Sequence, residues 1–257
     1  MTVIAIVTEK HGGRLGGFLV GFPSTVAFSL FFSGLFVSVP VADDATNALP
    51  VFLSVIGIFL LSFGFLAAKG FAAGLFYSLV IWSAVSLVVL LSGIGDFLVA
   101  LFSSAAISVP LYLAFRFRLK PRKPTGSSGP RYTVSLLLVR FTLGGGTVAL
   151  AVMMSHLGAP ILSAMFSSFP ALSISTLVAI RTGNKAEGTE NAKGMTMAMF
   201  VSVMLMLIPF SVVVHYLYPL YGIWWGTLAA YASAAAVGLP YYLFFEKTLV
   251  PSFPTGT

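Results

Sequence analysis

An all-α polytopic membrane protein, with eight transmembrane helices arranged as two related four-helix units, is the fold the sequence predicts. Three observations carry that reading. The 257 residues are 58% hydrophobic and only 8% charged, and mean hydropathy is +1.01, whereas a soluble domain has roughly a quarter of its residues charged. The apolar residues form long continuous runs without dyad alternation, which favours helices over a barrel. The cationic residues segregate to alternate connections, as topology requires. A soluble enzyme, a disordered chain and a nucleic-acid-binding domain are excluded by composition. The absence of cysteine excludes disulfides and Cys-ligated metal.

Span one, residues 12–39, carries Gly13, Gly17 and Gly21 at four-residue intervals, a spacing that lets helices approach closely. Pro23 follows, among Ser24, Thr25 and Ser29. Span two, 49–68, opens at Pro50, where a missing N–H is tolerated. Span three, 71–91, begins after Lys69-Gly70 and holds Trp82 in mid-span, whose indole N–H is expected to meet a hydroxyl from Ser78, Ser83 or Ser86. Span four, 97–115, follows Asp96 and contains Pro110. Residues 118–131, rich in Pro, Gly, Ser and basic side chains, form a polar linker between a first unit, 1–117, and a second, 132–257.

Span five, 132–155, contains Arg140 and Gly144-Gly145-Gly146. Span six, 159–180, contains Pro170 among Ser163, Ser167, Ser168, Ser173, Ser175 and Thr176. Spans seven, 195–216, and eight, 222–245, are flanked by Tyr216, Tyr218, Tyr221, Trp224 and Trp225, an interfacial aromatic belt. Ala230, Ala234 and Gly238 give span eight a small-residue face.

With eight spans, both termini and all 14 Lys and Arg fall on one side, while Asp43, Asp44 and Asp96 fall on the other. The expectation is a multi-pass protein of the cell membrane with cytoplasmic termini. Residues 1–10 lack a basic n-region before an apolar stretch, so no cleaved signal peptide is expected. The basic linker also suits contact with anionic lipid.

Two internal similarities compete. Ala68-Lys69-Gly70 pairs with Ala192-Lys193-Gly194, and Val109-Pro110-Leu111-Tyr112 with Leu239-Pro240-Tyr241-Tyr242. These lie four spans apart and imply a parallel repeat. Gly21-Phe22-Pro23 in span one matches Ser168-Phe169-Pro170 in span six, and those helices run in opposite directions. Each proline stands about eleven residues inside its span, or roughly 16 Å, near the bilayer midplane.

Arg140-Phe141, then Gly144-Gly145, then Phe169-Pro170-Ala171 in the following helix resembles small four-span membrane proteins grouped only as a domain of unknown function. The resemblance covers residues 134–245. The first half departs from it, its Phe-Pro motif standing in span one. The resemblance implies the four-plus-four architecture and brings no activity, cofactor or substrate.

The candidate binding residues are Pro23, Ser24, Thr25, Ser167, Ser168, Pro170, Ser173 and Arg140. Proline inside a helix frees a backbone carbonyl, and transporter sites lie at such interrupted helices. Arg140 sits roughly 12 Å into its helix, deep enough to hold an anionic group or to snorkel to the headgroups. No carboxylate falls in mid-span, which weighs against a carboxylate proton relay. His11, His156 and His215 stand at helix ends without partners at metal-ligand spacing, and no hydrolase or phosphate-loop motif occurs. No metal, no cofactor and no enzymatic activity are expected. The leading expectation is a small-solute permease for a neutral or anionic solute. The alternative is a non-transport subunit or assembly factor whose kinks and small-residue faces serve helix packing. Membrane lipid is the expected partner, nucleic acid is not, and the small-residue faces allow a homo-oligomer.

Overall fold

The computed structural model describes residues 21–119, 134–183 and 188–245. Nine α-helices are formed among them: α1 Ser24–Phe36, α2 Val39–Thr46, α3 Leu49–Leu66, α4 Phe71–Leu91, α5 Phe97–Ala114, α6 Val134–His156, α7 Pro160–Ser167, α8 Ala171–Gly183 and α9 Gly188–Pro240. Six helical stretches are long and apolar enough to cross a bilayer, with α7 and α8 together making one of them. The described residues are therefore all-helical in architecture and apolar enough for a membrane. Arg14, Gly13, Gly17 and linker residues 120–131 lie outside the described residues.

The ends of the helices follow from local chemistry. The Ser38 hydroxyl accepts the Val41 N–H at 3.4 Å and starts α2, with Pro40 in its first turn. Asp96 Oδ1 accepts the Val99 N–H at 2.9 Å and starts α5. Gly70, at φ 116°, turns the chain between α3 and α4. Gly222, at φ 73° and ψ 177°, interrupts α9, so that two helices meet there. Such dihedrals belong to glycine alone.

The helices sort into an inner and an outer set. The α3 span is 67% buried, the α7–α8 span 67% and α9 61%, against 22% for α4, 17% for α5 and 28% for α6. Inner α3 packs against α4, α5 and α9. On the other flank, α6 packs against α1, α7 and α8. The outer helices expose Phe76, Leu87, Val88, Phe102 and Phe141, which suits contact with lipid tails. Hydroxyl bridges tie the helices together. Ser155 joins Ser33 of α1 and Ser163 of α7, both at 2.9 Å. Ser54 of α3 meets Ser104 and Ser108 of α5 at 2.7 and 3.1 Å. Interhelical bonds of this kind contribute about 0.6 kcal/mol each in a bilayer.

Three features differ from the sequence reading. The stretch 39–46, most of which the sequence reading leaves between spans one and two, is helix α2. Helix α9 starts at Gly188 rather than Met195, its first turns held by the Lys193–Glu190 pair at 3.1 Å and by the Thr196 hydroxyl on the Lys193 carbonyl. Trp82 has no hydroxyl acceptor for its indole N–H among the described residues; the ring instead packs edge-on against Phe169, with centroids 5.1 Å apart.

The acidic end of the bundle is closed by a small polar cluster. His215 stacks on Phe97 at 4.0 Å, its Nδ1 lies 2.8 Å from the Thr46 hydroxyl, and it is 3.3 Å from Asp43 Oδ1. Burial, together with the nearby Asp44, raises the Asp43 carboxyl above its ordinary value against the opposing pull of His215 and Thr46.

Candidate functional site

Pro170 breaks its helix rather than kinking it, and Pro23 stands immediately before the start of α1. Residues 21–23 precede α1, and residues 168–170 separate α7 from α8. The two breaks share one local geometry. The Ser24 N–H donates to the Phe22 carbonyl at 2.7 Å, and the Ala171 N–H donates to the Phe169 carbonyl at 2.7 Å. Pro23, at φ −73° and ψ 60°, is the centre of an inverse γ-turn. One turn later, Ala27 N–H bonds the Pro23 carbonyl at 3.3 Å and Ile174 N–H bonds the Pro170 carbonyl at 2.9 Å.

The breaks meet in space. Phe22, Thr25 and Val26 from the first, and Ser167, Phe169, Pro170, Leu172 and Ser173 from the second, line one small cavity, closed by Ile56 of α3 and by Val203 and Leu207 of α9. The room for the centre of a water-sized sphere is about 20 Å³, enough for one particle of that size.

The polar groups around this cavity are unevenly satisfied. On the acceptor side, the Ala164 carbonyl takes the Ser167 hydroxyl at 2.9 Å and the Ser168 N–H at 3.1 Å. The Met165 carbonyl takes the Ser168 hydroxyl at 2.9 Å, and Phe166 takes the Phe169 N–H at 3.0 Å. The Pro23 carbonyl also accepts the Tyr231 hydroxyl at 3.3 Å. On the donor side, the N–H groups of Thr25, Val26, Leu172 and Ser173, in the first turns of α1 and α8, have no acceptor among the described residues. The hydroxyls of Thr25 and Ser173 have no partner there either, although these residues are only 7% and 2% exposed. These groups open onto the cavity, and each helix start adds roughly half a positive charge. Such a cavity can hold an acceptor.

Of the residues singled out from the sequence, Thr25, Ser167, Pro170 and Ser173 line the cavity. Pro23 shapes the break through its carbonyl. Ser24 is buried beside it, Ser168 caps α7, and Arg140 is buried at 5% exposure in α6 without lining the cavity. Sequence reasoning missed Ile56, Val203 and Leu207, which are ordinary apolar residues of distant spans. The donors themselves are backbone, legible only once the helix starts are known.

A second concavity, a groove of about 770 Å³ between α1 and α6, runs along Phe28, Phe32 and Phe36 on one side and Gly144, Gly145 and Ala149 on the other. It is apolar except at His156. Among the described residues no cluster of His, Asp or Glu could hold a metal ion. No known family, no curated protein and no solved structure matches the chain.

Proposed function

We propose that the chain is a small-solute permease of the cell membrane, threading it eight times with both termini cytoplasmic, and that its solute passes the crossing of the two Phe-Pro breaks. The observation that carries this reading is the convergence of two Phe-Pro segments far apart in sequence, one at the start of α1 and one between α7 and α8, on one cavity lined by hydroxyls. Interrupted helices crossing at mid-depth are the usual setting of a transport site. The shared geometry also favours the antiparallel repeat. The break at Pro23 pairs with that at Pro170, and the positive-φ turn at Gly70 pairs with that at Gly222. Both pairings are five spans apart, an odd number that inverts one unit against the other. One feature speaks for the parallel pairing: Pro110 and Pro240 are each followed by a π-helical turn, Phe115–Leu119 and Tyr241–Phe245.

The non-transport reading draws on the close packing at the same place, where a Cβ on Gly21 would overlap the Ser202 carbonyl. Flux separates the two. Purified protein in vesicles is expected to move a small solute, and Pro23→Ala and Pro170→Ala, which restore an N–H and remove a ring clash, are expected to slow it at least about tenfold. Folded wild-type protein that moves neither ions nor neutral solutes under any gradient sinks the permease.

A further inference from the structure

Resting on the permease reading of this cavity, we propose that its solute is a small monovalent anion of about the size of water, a halide, bound by the starts of α1 and α8. Free donors outnumber free acceptors at the crossing. Four backbone N–H groups, from Thr25, Val26, Leu172 and Ser173, and two hydroxyls, from Thr25 and Ser173, are left without protein acceptors. All four residues are at least nine-tenths buried. Most carbonyls of the crossing already accept a bond: Phe22, Pro23, Phe169 and Pro170 from backbone N–H groups, and Ala164, Met165 and Phe166 from N–H groups or serine hydroxyls at the end of α7; those of Ser167 and Ser168 do not, so the free donors outnumber the free acceptors. The negative end of that half-helix is thereby partly capped, while two helices, α1 and α8, start at the cavity. A cation would meet donors and helix dipoles of the wrong sign. A neutral solute could donate to the hydroxyl oxygens of Thr25 and Ser173, but it would leave most of the N–H groups unmet. The room, about 20 Å³, suits a single dehydrated particle and not an organic anion.

The same register marks a path to either side. Ser29 and Thr176 each stand six residues beyond their proline, on the face of Thr25 and of Ser173 respectively. Both are buried and both hydroxyls lack partners. Because α1 and α8 start at the crossing and lead to opposite ends of the bundle, these hydroxyls extend the donor set toward opposite sides of the membrane.

The test uses the full chain. Melting temperature in detergent is followed with sodium fluoride, sodium chloride or sodium gluconate at constant ionic strength. Chloride efflux from potassium-chloride vesicles is followed with valinomycin carrying the counter-charge. The expected result is stabilisation and efflux with halide and neither with gluconate, and at least about tenfold weaker halide affinity in Thr25→Val/Ser173→Ala. If that double variant does not fold, Ser173→Ala alone is expected to weaken binding about threefold or more. Halide stabilisation without efflux sustains the anion site and sinks the permease. Passage of glycerol or sodium ion with no halide effect overturns the anion proposal and leaves the permease standing. No halide effect and no flux of any solute overturns both.

Discussion

Single residues at the crossing are where packing can be tested most sharply. Gly21 lies against the Ser202 backbone, so a Cβ there overlaps a carbonyl. Gly21→Val is expected to lower stability by about 1–3 kcal/mol, the usual cost of overpacking, in thermal melts. Gly145, which has open space around its missing Cβ, serves as the control, and Gly145→Ala is expected to be neutral or slightly stabilising because alanine favours the helix. Tyr231→Phe removes the hydroxyl that bonds the Pro23 carbonyl. A loss of about 0.5–1.5 kcal/mol is expected, and unchanged stability would mean that the carbonyl needs no partner. Asp43 provides a pH signature. Burial raises its carboxyl in the folded state, so the folded protein holds this proton where the unfolded chain has lost it. Stability from this group is then complete below the ordinary carboxyl range and declines as pH rises through the raised value. Asp43→Asn is expected to flatten that decline. A variant with the wild-type slope would place its origin elsewhere.

At the scale of elements, the question is why some breaks were legible and others were not. The Phe-Pro motifs announce trouble in a helix because proline lacks an N–H. Whether the helix bends or ends depends on what takes the freed carbonyls, and at Pro170 the hydroxyls of Ser167 and Ser168 fold back on α7 and end it. Helix α2 was hidden because Val39–Thr46 carries two aspartates and falls mostly between spans one and two, while its start depends on the Ser38 cap. The Gly222 turn marks a division that hydropathy foresaw at the same residue. Its dihedrals, φ 73° and ψ 177°, are strained for any other residue by about 1–3 kcal/mol. Gly222→Ala is accordingly expected to destabilise by that amount, whereas Gly146→Ala, in an ordinary helical position with open space, is not. The apolar closure of the cavity by Ile56, Val203 and Leu207 had no local signal at all, because it is a tertiary contact between spans distant in sequence.

For the molecule as a whole, composition dictates the solvent, and the proposed threading rests on charge placement. Asp43 and Asp96 share one end of the bundle, since His215 touches both Asp43 and the Phe97 ring beside Asp96. Lys69 and Arg116 stand at the opposite ends of α3 and α5. The chain contains no cysteine, so engineered thiols report without background. The most direct measurement is cross-linking of Thr25→Cys/Ser173→Cys by a short bifunctional thiol reagent, read by mass spectrometry on protein in vesicles. The two positions line one water-sized cavity, and the account predicts an intramolecular link within single chains, absent from either single variant and suppressed by Pro170→Ala. Two thiols that each react in detergent yet never join would show that the breaks do not meet, and the site would fall with them.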